Sequence, residues 1–260
     1  MSIAPCLTTP AGTGSSRSGG GGGRKTTPLY IVCSPRRGVG KTLLARLLAE
    51  FYLIDGAPVA AFDLSDEGPQ LADYLPRCTT IADISDARGQ MALFDRIIAD
   101  RQATKVIDLS HRAFKDFFTI CERIGFFEEA RRHAIEPLIL FMIDPGPKSA
   151  KAYAILGRWF AEASLLPVRN QLVAKGIPYS GSFQNGSAVC VSLEIPLLGA
   201  SLKTLVDQQS FSFAQFWRTT PVSLPVRLDD ELRAWIKRIF LQFREIELWL
   251  MCEEILSSLK

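Results

Sequence analysis

Short apolar runs alternate along the chain with stretches of helical periodicity. The first run begins at Leu29 and reads Leu-Tyr-Ile-Val-Cys; after a turn-rich segment, apolar residues recur at three- and four-residue spacing from Leu44 to Phe51. Arg46 and Glu50 fall outside this apolar face, so we expect them on another side of the helix. A second apolar run then ends at Asp63. Strand, loop, helix and strand in this order predict a βαβ unit, and therefore a parallel sheet.

The same alternation continues along the next part of the chain. The further predicted elements are a helix containing Ile97 and Ile98, a strand over Lys105–Ser110, a Phe-rich helix, a strand over Pro137–Ile143 ending at Asp144, a helix over Ala150–Ala163, strands over Leu165–Val173 and Ala188–Ile195, and a helix starting over Ser201–Val206. Near-continuous apolar runs are typical of parallel strands that are buried on both faces. About six strands with helices between them predict an α/β fold with one doubly wound, mostly parallel sheet.

Residues 1–26 differ in composition from the rest of the chain. They are rich in Gly, Ser, Thr and Pro and contain five consecutive glycines, Gly19–Gly23. Such a segment cannot bury enough apolar surface to offset the entropy that is lost on ordering. We therefore expect a flexible tail over 1–26, an α/β domain over 27–227 and a separate helical segment over 228–260.

The segment 228–260 has the longest helical pattern in the chain. Its apolar stripe consists of Leu232, Trp235, Ile236, Ile239, Phe240, Phe243, Ile246 and Leu250. One interpretation is an amphipathic helix that lies on a membrane surface. The other is a helix that packs on the domain or on a partner subunit. Packing is favoured, because four glutamates between residues 245 and 254 would face anionic lipid unfavourably.

Composition and charge exclude several classes of protein. The chain has 260 residues, of which 47% are hydrophobic and 22% charged, so it is neither a collagen, a mucin nor a wholly disordered chain. A net charge of +3 is too small to imply a coat of nucleic acid. Six dispersed cysteines without a CxxC pair argue against a zinc site or a disulfide framework. No secretory signal opens the chain and no run of about 18 apolar residues occurs, so we expect a cytoplasmic protein.

The segment between the first predicted strand and helix reads Ser-Pro-Arg-Arg-Gly-Val-Gly-Lys-Thr, from Ser34 to Thr42. A tight loop of small residues before a helix directs backbone N–H groups at phosphate oxygens. In such a loop Lys41 would reach the terminal phosphates, and the Thr42 hydroxyl would hold Mg²⁺. The candidate nucleotide-binding residues are Arg37, Gly38, Val39, Gly40, Lys41, Thr42 and Leu43. The sequence therefore predicts a site for a nucleotide and Mg²⁺.

Residues 36–42 resemble the Lys-Gly-Gly-x-Gly-Lys-Thr loop of the deviant Walker A ATPases of the ParA/MinD type, which act in plasmid partition and in positioning the division site. The resemblance extends over about residues 28–206. The family's signature lysine, which reaches the partner's phosphates in a nucleotide-sandwich dimer, falls on Arg36. Arg37 replaces a glycine of this loop, and Pro35 replaces the first glycine of the ordinary Walker A pattern. These two replacements predict weaker nucleotide binding or an altered loop path.

The end of the second strand also resembles this family. The family's Asp-x-Asp-Pro-Gln-like switch reads here Asp-Leu-Ser-Asp-Glu-Gly-Pro-Gln, from Asp63 to Gln70. The resemblance assigns Asp63 to Mg²⁺ and to the catalytic set with Lys41, whereas Ser65 stands where the family has the carboxylate that handles the attacking water. A serine cannot accept a proton as a carboxylate does, and Asp66 is the adjacent substitute. Hydrolysis is therefore expected to be slow, absent or dependent on a partner.

Three later segments complete the resemblance. Asp108, in Val-Ile-Asp-Leu-Ser, matches the strand-end aspartate that helps to hold Mg²⁺ through water. Asn170 lies at a predicted strand end, where the family often places an asparagine against the adenine ring. The segment Glu194–Leu198 is similar to the family's last strand and to the loop that closes over the base.

The resemblance implies a cytoplasmic ATP-binding switch. ATP and Mg²⁺ would draw two subunits into a homodimer that binds DNA or a DNA-binding partner protein, with Arg36 acting across the interface. Plasmid or chromosome partition and the mobilisation of a conjugative element are the processes it suggests; membrane association is not expected. The alternative is an adaptor that has kept the nucleotide site and lost turnover, which Ser65, Arg37 and Pro35 favour.

Overall fold

The computed structural model describes residues 26–65, 70–173, 183, 193–219 and 224–258. The predicted tail, apart from Thr26, and the candidate residue Asp66 lie outside these ranges. The strands are β1 (Thr27–Cys33), β2 (Val59–Leu64), β3 (Thr79–Ile81), β4 (Thr104–Leu109), β5 (Ile135–Met142), β6 (Ser164–Asn170) and β7 (Leu193–Ile195). The helices are α1 (Lys41–Ile54), α2 (Leu71–Tyr74), α3 (Ala87–Ala99), α4 (Phe114–Ile124), α5 (Phe126–Arg132), α6 (Pro147–Trp159), α7 (Ala200–Val206), α8 (Phe213–Arg218) and α9 (Val226–Ser258).

The strands form one sheet in the order β3-β2-β4-β1-β5-β6-β7, and every pairing in it is parallel. This confirms the predicted α/β fold with a parallel sheet. Strand β3 was not predicted, because Thr-Thr-Ile is a short edge segment without an apolar run. Strand β6 ends at Asn170, so the prediction that it continues to Val173 was wrong.

Helices cover both faces of the sheet, which is why the central strands are apolar throughout. Alternate residues of β1 point to opposite faces: Tyr30 and Val32 belong to the core beneath α1, whereas Leu29 and Ile31 belong to the other core. The first core includes residues of α1, α2, α7, α8 and α9, and the second includes residues of α3, α4, α5 and α6. The sheet is therefore doubly wound.

Helix α9 packs on the face of the sheet that α1 covers. All eight residues of the predicted apolar stripe are buried in the first core. The Phe51 ring on α1 lies 5.2 Å from that of Phe240 and 5.4 Å from that of Phe243, measured between centroids. The indole N–H of Trp235 donates to the carbonyl of Pro196 at 2.9 Å. The structure therefore agrees with the interpretation in which the helix packs on the domain. In the part of the chain described, no helix combines the length and the apolar character needed to cross a membrane.

Arg46 and Glu50 on α1 are buried, which the sequence pattern does not predict. The guanidinium Nε of Arg46 donates to Glu50 Oε1 at 3.0 Å, and its Nη1 donates to the carbonyl of Val206 at 2.7 Å. The guanidinium carbon also lies 4.4 Å from the centre of the Tyr74 ring. The side of α1 that the apolar periodicity leaves polar is covered by α7 and by the segment before α8.

Candidate functional site

Because every strand runs in the same direction, the carboxyl ends of the strands lie at one edge of the sheet. Helix α1 connects β1 to β2 on one side of β1, whereas α6 connects β5 to β6 on the other side. Connections that diverge in this way leave a crevice at the carboxyl edge, where α/β proteins bind ligands. The loop of residues 34–40 lies at this crevice.

Two glycines shape the loop. Gly38 and Gly40 have φ values of 70° and 97°, a left-handed conformation that favours glycine. A Cβ atom at Gly40 would also lie 2.6 Å from Nδ2 of Asn170, so a side chain there would displace the Asn170 amide. Among the described residues other than glycine, Ala134 alone has a positive φ. Pro35 and Arg37 therefore occupy positions that do not require glycine in this loop.

Lys41 is the first residue of α1, and its side chain turns back over the loop. Its Nζ donates to the carbonyl oxygen of Arg36 at 2.9 Å. Burial lowers the pKa of this ammonium, and the negative charge of Asp108 acts in the opposite direction. The structure thus places the Lys41 ammonium inside the loop that the sequence assigned to phosphate.

Thr42 and Asp108 are in direct contact. The Thr42 hydroxyl donates to Asp108 Oδ2 at 2.6 Å. Burial raises the pKa of Asp108 to about 7, the hydrogen bond from Thr42 opposes this shift, and the nearby charge of Asp63 adds to it. Asp108 and Asp63 are register partners on the adjacent strands β4 and β2. Two carboxyl groups therefore lie side by side at the carboxyl edge.

Asp63 differs from Asp108 because its carboxylate binds backbone groups. Its Oδ1 accepts from the N–H of Ser65 at 2.9 Å, and its Oδ2 accepts from the N–H of Ala72 at 3.0 Å. Burial raises its pKa, and these hydrogen bonds lower it. Asp63 does not line the cavity described below, whereas Ser65 does. Asp63 thus holds the chain on both sides of residues 66–69.

Arg36, the candidate trans-acting cation, contacts Asp144 at the end of β5. Its Nη1 donates to Asp144 Oδ1 at 3.2 Å, and the same oxygen accepts from the N–H of Gly146 at 2.8 Å. The Arg36 side chain is 54% exposed, whereas that of Asp144 is 3% exposed. The guanidinium therefore lies at the surface and is held by a buried carboxylate.

Asn170, the last residue of β6, makes a hydrogen bond to the loop of residues 34–40. Its Nδ2 donates to the carbonyl of Val39 at 3.1 Å, and its Oδ1 accepts from the N–H of Leu172 at 3.1 Å. Each end of the amide thus already binds the backbone. The residue joins the end of β6 to the loop of residues 34–40, a contact that spacing along the chain does not reveal.

A cavity of about 410 Å³ opens beside these groups. Its lining includes eight of the predicted residues: Arg37, Gly38, Gly40, Lys41, Thr42, Leu43, Asp108 and Asn170. The others are Ser65, Ser110, His111, Leu172, Lys203 and Asp207. Arg36, Val39 and Asp63 are outside this lining. Ser110, His111 and Leu172 could have been found because they follow strand ends, but Lys203 and Asp207 reach the cavity only through the packing of α7.

The donor set suits Mg²⁺ that arrives with phosphate. Across the described ranges, no group of three or more His, Cys, Asp or Glu side chains could hold a metal by itself. Mg²⁺ commonly takes one or two protein ligands, together with phosphate oxygens and water. The Thr42 hydroxyl and the buried Asp108 carboxyl match that requirement, and a cation beside Asp108 would favour its ionised form.

A comparison with known proteins found no family model that matches the chain and no curated protein similar enough to indicate a relative. The seven-stranded parallel sheet in an α/β fold is compatible with a P-loop NTPase.

Proposed function

We propose that this protein is an ATP-binding switch that holds ATP and Mg²⁺ in the cavity between the β1–α1 loop and α7. The observation that carries this proposal is the meeting of Lys41, Thr42 and Asp108 at a loop whose path depends on Gly38 and Gly40. A cavity of about 410 Å³ has the size of an ordinary small-molecule site.

Each group has a chemical role in this proposal. The loop N–H groups and the N-terminus of α1, a helix of 14 residues, bind the phosphates by hydrogen bonds and by the helix dipole. Lys41 exchanges its contact with the Arg36 carbonyl for a phosphate oxygen. Thr42 and Asp108 hold Mg²⁺, which neutralises phosphate charge when bound. Asp63 keeps the chain around Ser65 in place.

Hydrolysis is proposed to be slow or dependent on a partner. Ser65 lines the cavity at the position where the resembled family has its water-handling carboxylate. Within the described lining, the only carboxylates are Asp108, which is bound to Thr42, and Asp207. The same observation favours the second candidate, an adaptor that binds nucleotide without turning it over.

For partners, we propose an ATP-dependent homodimer of the ParA/MinD type that acts in partition or in DNA mobilisation. The half-exposed Arg36 guanidinium supports this, because it lies at the surface and belongs to the phosphate loop. It would leave Asp144 to reach the phosphates of the second subunit. DNA or a DNA-binding protein is the proposed partner of that dimer.

Calorimetric titration with ATP and Mg²⁺ tests the binding site. We expect the wild type to bind and the Lys41→Ala variant to lose at least about a hundredfold in affinity, because charge-assisted contacts to phosphate are strong. Lys151→Ala, at an exposed position on α6, is the matched control and should bind as the wild type does. Equal affinity in all three proteins would refute the site.

Light scattering after gel filtration tests the switch. We expect ATP with Mg²⁺ to increase the mass of the wild type, and Arg36→Ala to abolish this increase while keeping the calorimetric binding. A mass that does not change with nucleotide would leave the adaptor as the better function.

A further inference from the structure

Helix α6 has the largest excess of positive charge among the helices that the structure describes. Its charged side chains are all basic: Lys148, Lys151 and Arg158. This excess of three charges equals the formal net charge of the whole chain, +3. The neighbouring helices α4 and α5 each carry two basic and two acidic side chains, so they add no net charge to this face of the sheet. Positive charge is therefore concentrated on one helix, where it would attract a polyanion.

These three cations lie on the exposed side of α6. Lys148 and Lys151 are three residues apart, and Lys151 and Arg158 are seven residues apart, so they fall on one side of the helix. Each of them is exposed. The buried residues of the helix lie on the other side: Ser149, Tyr153 and Leu156. With a rise of about 1.5 Å per residue, the cations extend over about 15 Å along the helix axis.

The three side chains have no internal partner. Within the described ranges, none of them forms an ion pair or a hydrogen bond. The nearest acidic residues along the chain have other contacts: Asp144 is buried and bound to Arg36, and Glu162 lines a cavity with Arg131 at the amino edge of the sheet. An external anion can therefore bind these cations without the loss of an existing ion pair.

Double-stranded DNA matches this row of cations in charge and in size. The duplex carries one negative charge per about 1.7 Å of its axis, on two strands that are separated by grooves about 6 and 12 Å wide. A row of about 15 Å is long enough to reach both strands across a groove. Ala154 lies between Lys151 and Arg158 on the exposed side, and its small size permits close approach. Trp159, which is 50% exposed beside Arg158, adds an aromatic ring that can pack against nucleotides.

A membrane surface fits α6 less well than DNA does. A helix that lies on a membrane places its apolar face among the lipids. The apolar face of α6 is instead buried in the domain, where Tyr153 and Leu156 belong to the second core. Of the exposed side chains of this helix, only Trp159 is large and apolar. Phosphates that are fixed along a polymer are therefore the better match for its exposed side.

We propose that the exposed side of α6 binds the phosphate backbone of double-stranded DNA without reading its sequence. This deepens the proposed function, on which it rests for the choice between DNA and a DNA-binding protein as partner, and it names direct contact and its place. All three cations belong to one subunit, so a monomer should bind DNA weakly without nucleotide. A nucleotide-dependent dimer would present two copies of the surface and bind more tightly.

Fluorescence anisotropy of a labelled duplex tests the proposal with the nucleotide-free protein at about 50 mM salt, where contacts to phosphate are strong. We expect the wild type to bind, Lys151→Ala to bind at least about threefold more weakly, and Lys148→Ala with Lys151→Ala at least about tenfold more weakly. Lys237→Ala is the matched control, because Lys237 is an exposed lysine on α9, on the other face of the sheet. A wild type that does not bind, or equal losses for Lys151→Ala and Lys237→Ala, would overturn the proposal.

The salt dependence shows whether Lys151 contacts a phosphate. The slope of log K against log salt concentration is about −0.9 for each phosphate that the protein neutralises. Lys151→Ala should therefore reduce the steepness of the wild-type slope by about one, whereas Lys237→Ala should leave it unchanged. A slope in Lys151→Ala that equals that of the wild type would contradict a contact between α6 and the backbone.

Lysine acetylation locates the surface without any substitution. Brief acetylation of the wild type, followed by peptide mapping, should modify Lys148 and Lys151 several times more slowly when duplex DNA is present. The exposed Lys237 should react at the same rate with and without DNA. Protection of Lys237 while both lysines of α6 still react would place the DNA elsewhere and refute the proposed surface.

Two further comparisons distinguish this surface from the nucleotide site and from other anionic partners. Lys41→Ala should bind DNA as the wild type does, so a failure of the nucleotide site leaves this result intact. Calorimetric binding of ATP by a protein that does not bind DNA would instead refute the α6 surface alone. If poly-glutamate or vesicles of anionic phospholipid bind the wild type but not Lys151→Ala, and DNA does not, the partner is an acidic protein or a membrane and the proposal is overturned.

Discussion

The Thr42 hydroxyl donates a 2.6 Å hydrogen bond to Oδ2 of Asp108, and this contact joins the start of α1 to the end of β4. It holds two groups of the proposed Mg²⁺ site together before any cation is present. Asp108 is 1% exposed, and burial raises the pKa of its carboxyl group to about 7. In the ligand-free protein, burial therefore destabilises the ionised form of Asp108, and a bound cation would stabilise it.

Asp108→Asn is expected to stabilise the ligand-free protein. Asp108 has a pKa of about 7 in the folded state and 3.8 in the unfolded state, so between these values the folded state binds more protons. The contribution of Asp108 to stability therefore falls as the pH rises from about 4 to about 7. At about pH 8 the variant should be more stable by about 2 to 4 kcal/mol. Urea denaturation at about pH 5 and pH 8 measures this; an equal effect at both values would contradict it.

The affinity for ATP with Mg²⁺ should rise with pH in the wild type. Cation binding requires the ionised form of Asp108, whose pKa is about 7 in the ligand-free protein. Calorimetry between about pH 6 and pH 8 should show this increase. Asp108→Asn should bind at least about tenfold more weakly and provides the control for the titration of ATP itself. A pH dependence that is the same in both proteins would show that Asp108 does not hold the cation.

Ser65→Asp is expected to raise hydrolysis. This change puts a carboxylate on the lining of the cavity, where the resembled family has its water-handling group. A general base commonly contributes at least about a hundredfold, so an imperfectly placed one should still give about tenfold in single-turnover rate. The double variant Ser65→Asp with Lys41→Ala should lose this gain. If Ser65→Asp hydrolyses ATP no faster than the wild type, the missing carboxylate at position 65 is not the sole cause of slow hydrolysis.

Arg46→Met is expected to destabilise the fold by about 3 to 5 kcal/mol, because it leaves the Glu50 carboxylate buried without its guanidinium. Arg132→Ala is the control. It removes an exposed ion pair with Glu129, in which the side chains are 76% and 41% exposed, and should cost less than about 1 kcal/mol. Urea denaturation compares the two free energies of unfolding. Similar values would show that the Arg46–Glu50 pair does not hold α1 against α7.

Lys105→Met should stabilise the protein and remove a pH dependence at alkaline pH. Lys105 is fully buried near the start of β4, and burial lowers its pKa from 10.5 to about 8. Between these values the unfolded state binds more protons, so its contribution to stability rises with pH over this range. The variant should gain about 2 to 3 kcal/mol at about pH 7.5 and little near pH 10.5. Thermal unfolding of both proteins between about pH 7.5 and pH 10.5 measures this. A difference in melting temperature between the wild type and Lys105→Met that stays constant with pH would contradict it.

Local patterns were sufficient to predict the β1–loop–α1 unit and the parallel sheet; together with the family resemblance they identified eight of the fourteen residues that line the cavity. A buried parallel strand needs a continuous apolar run, and a phosphate loop needs glycines next to a helix start; both signals lie within a few neighbouring residues. The strand-end positions of Asp63, Asp108 and Asp144 follow from the same patterns, because parallel strands end at one edge. The apolar stripe of α9 could be predicted in the same way, because its residues recur at helical spacing.

Local sequence patterns do not predict the contacts between segments that are distant along the chain. The periodicity of α1 marks Arg46 and Glu50 as a polar face, but α7 and the segment before α8, about 160 residues later, bury that face. Asp63 and Asp108 look alike in sequence, yet one binds backbone N–H groups and the other binds Thr42. The contact of Arg36 with Asp144 and that of Asn170 with Val39 likewise depend on which strands are neighbours. An amphipathic pattern predicts that one face of a helix is buried. The path of the chain in three dimensions determines which residues cover that face.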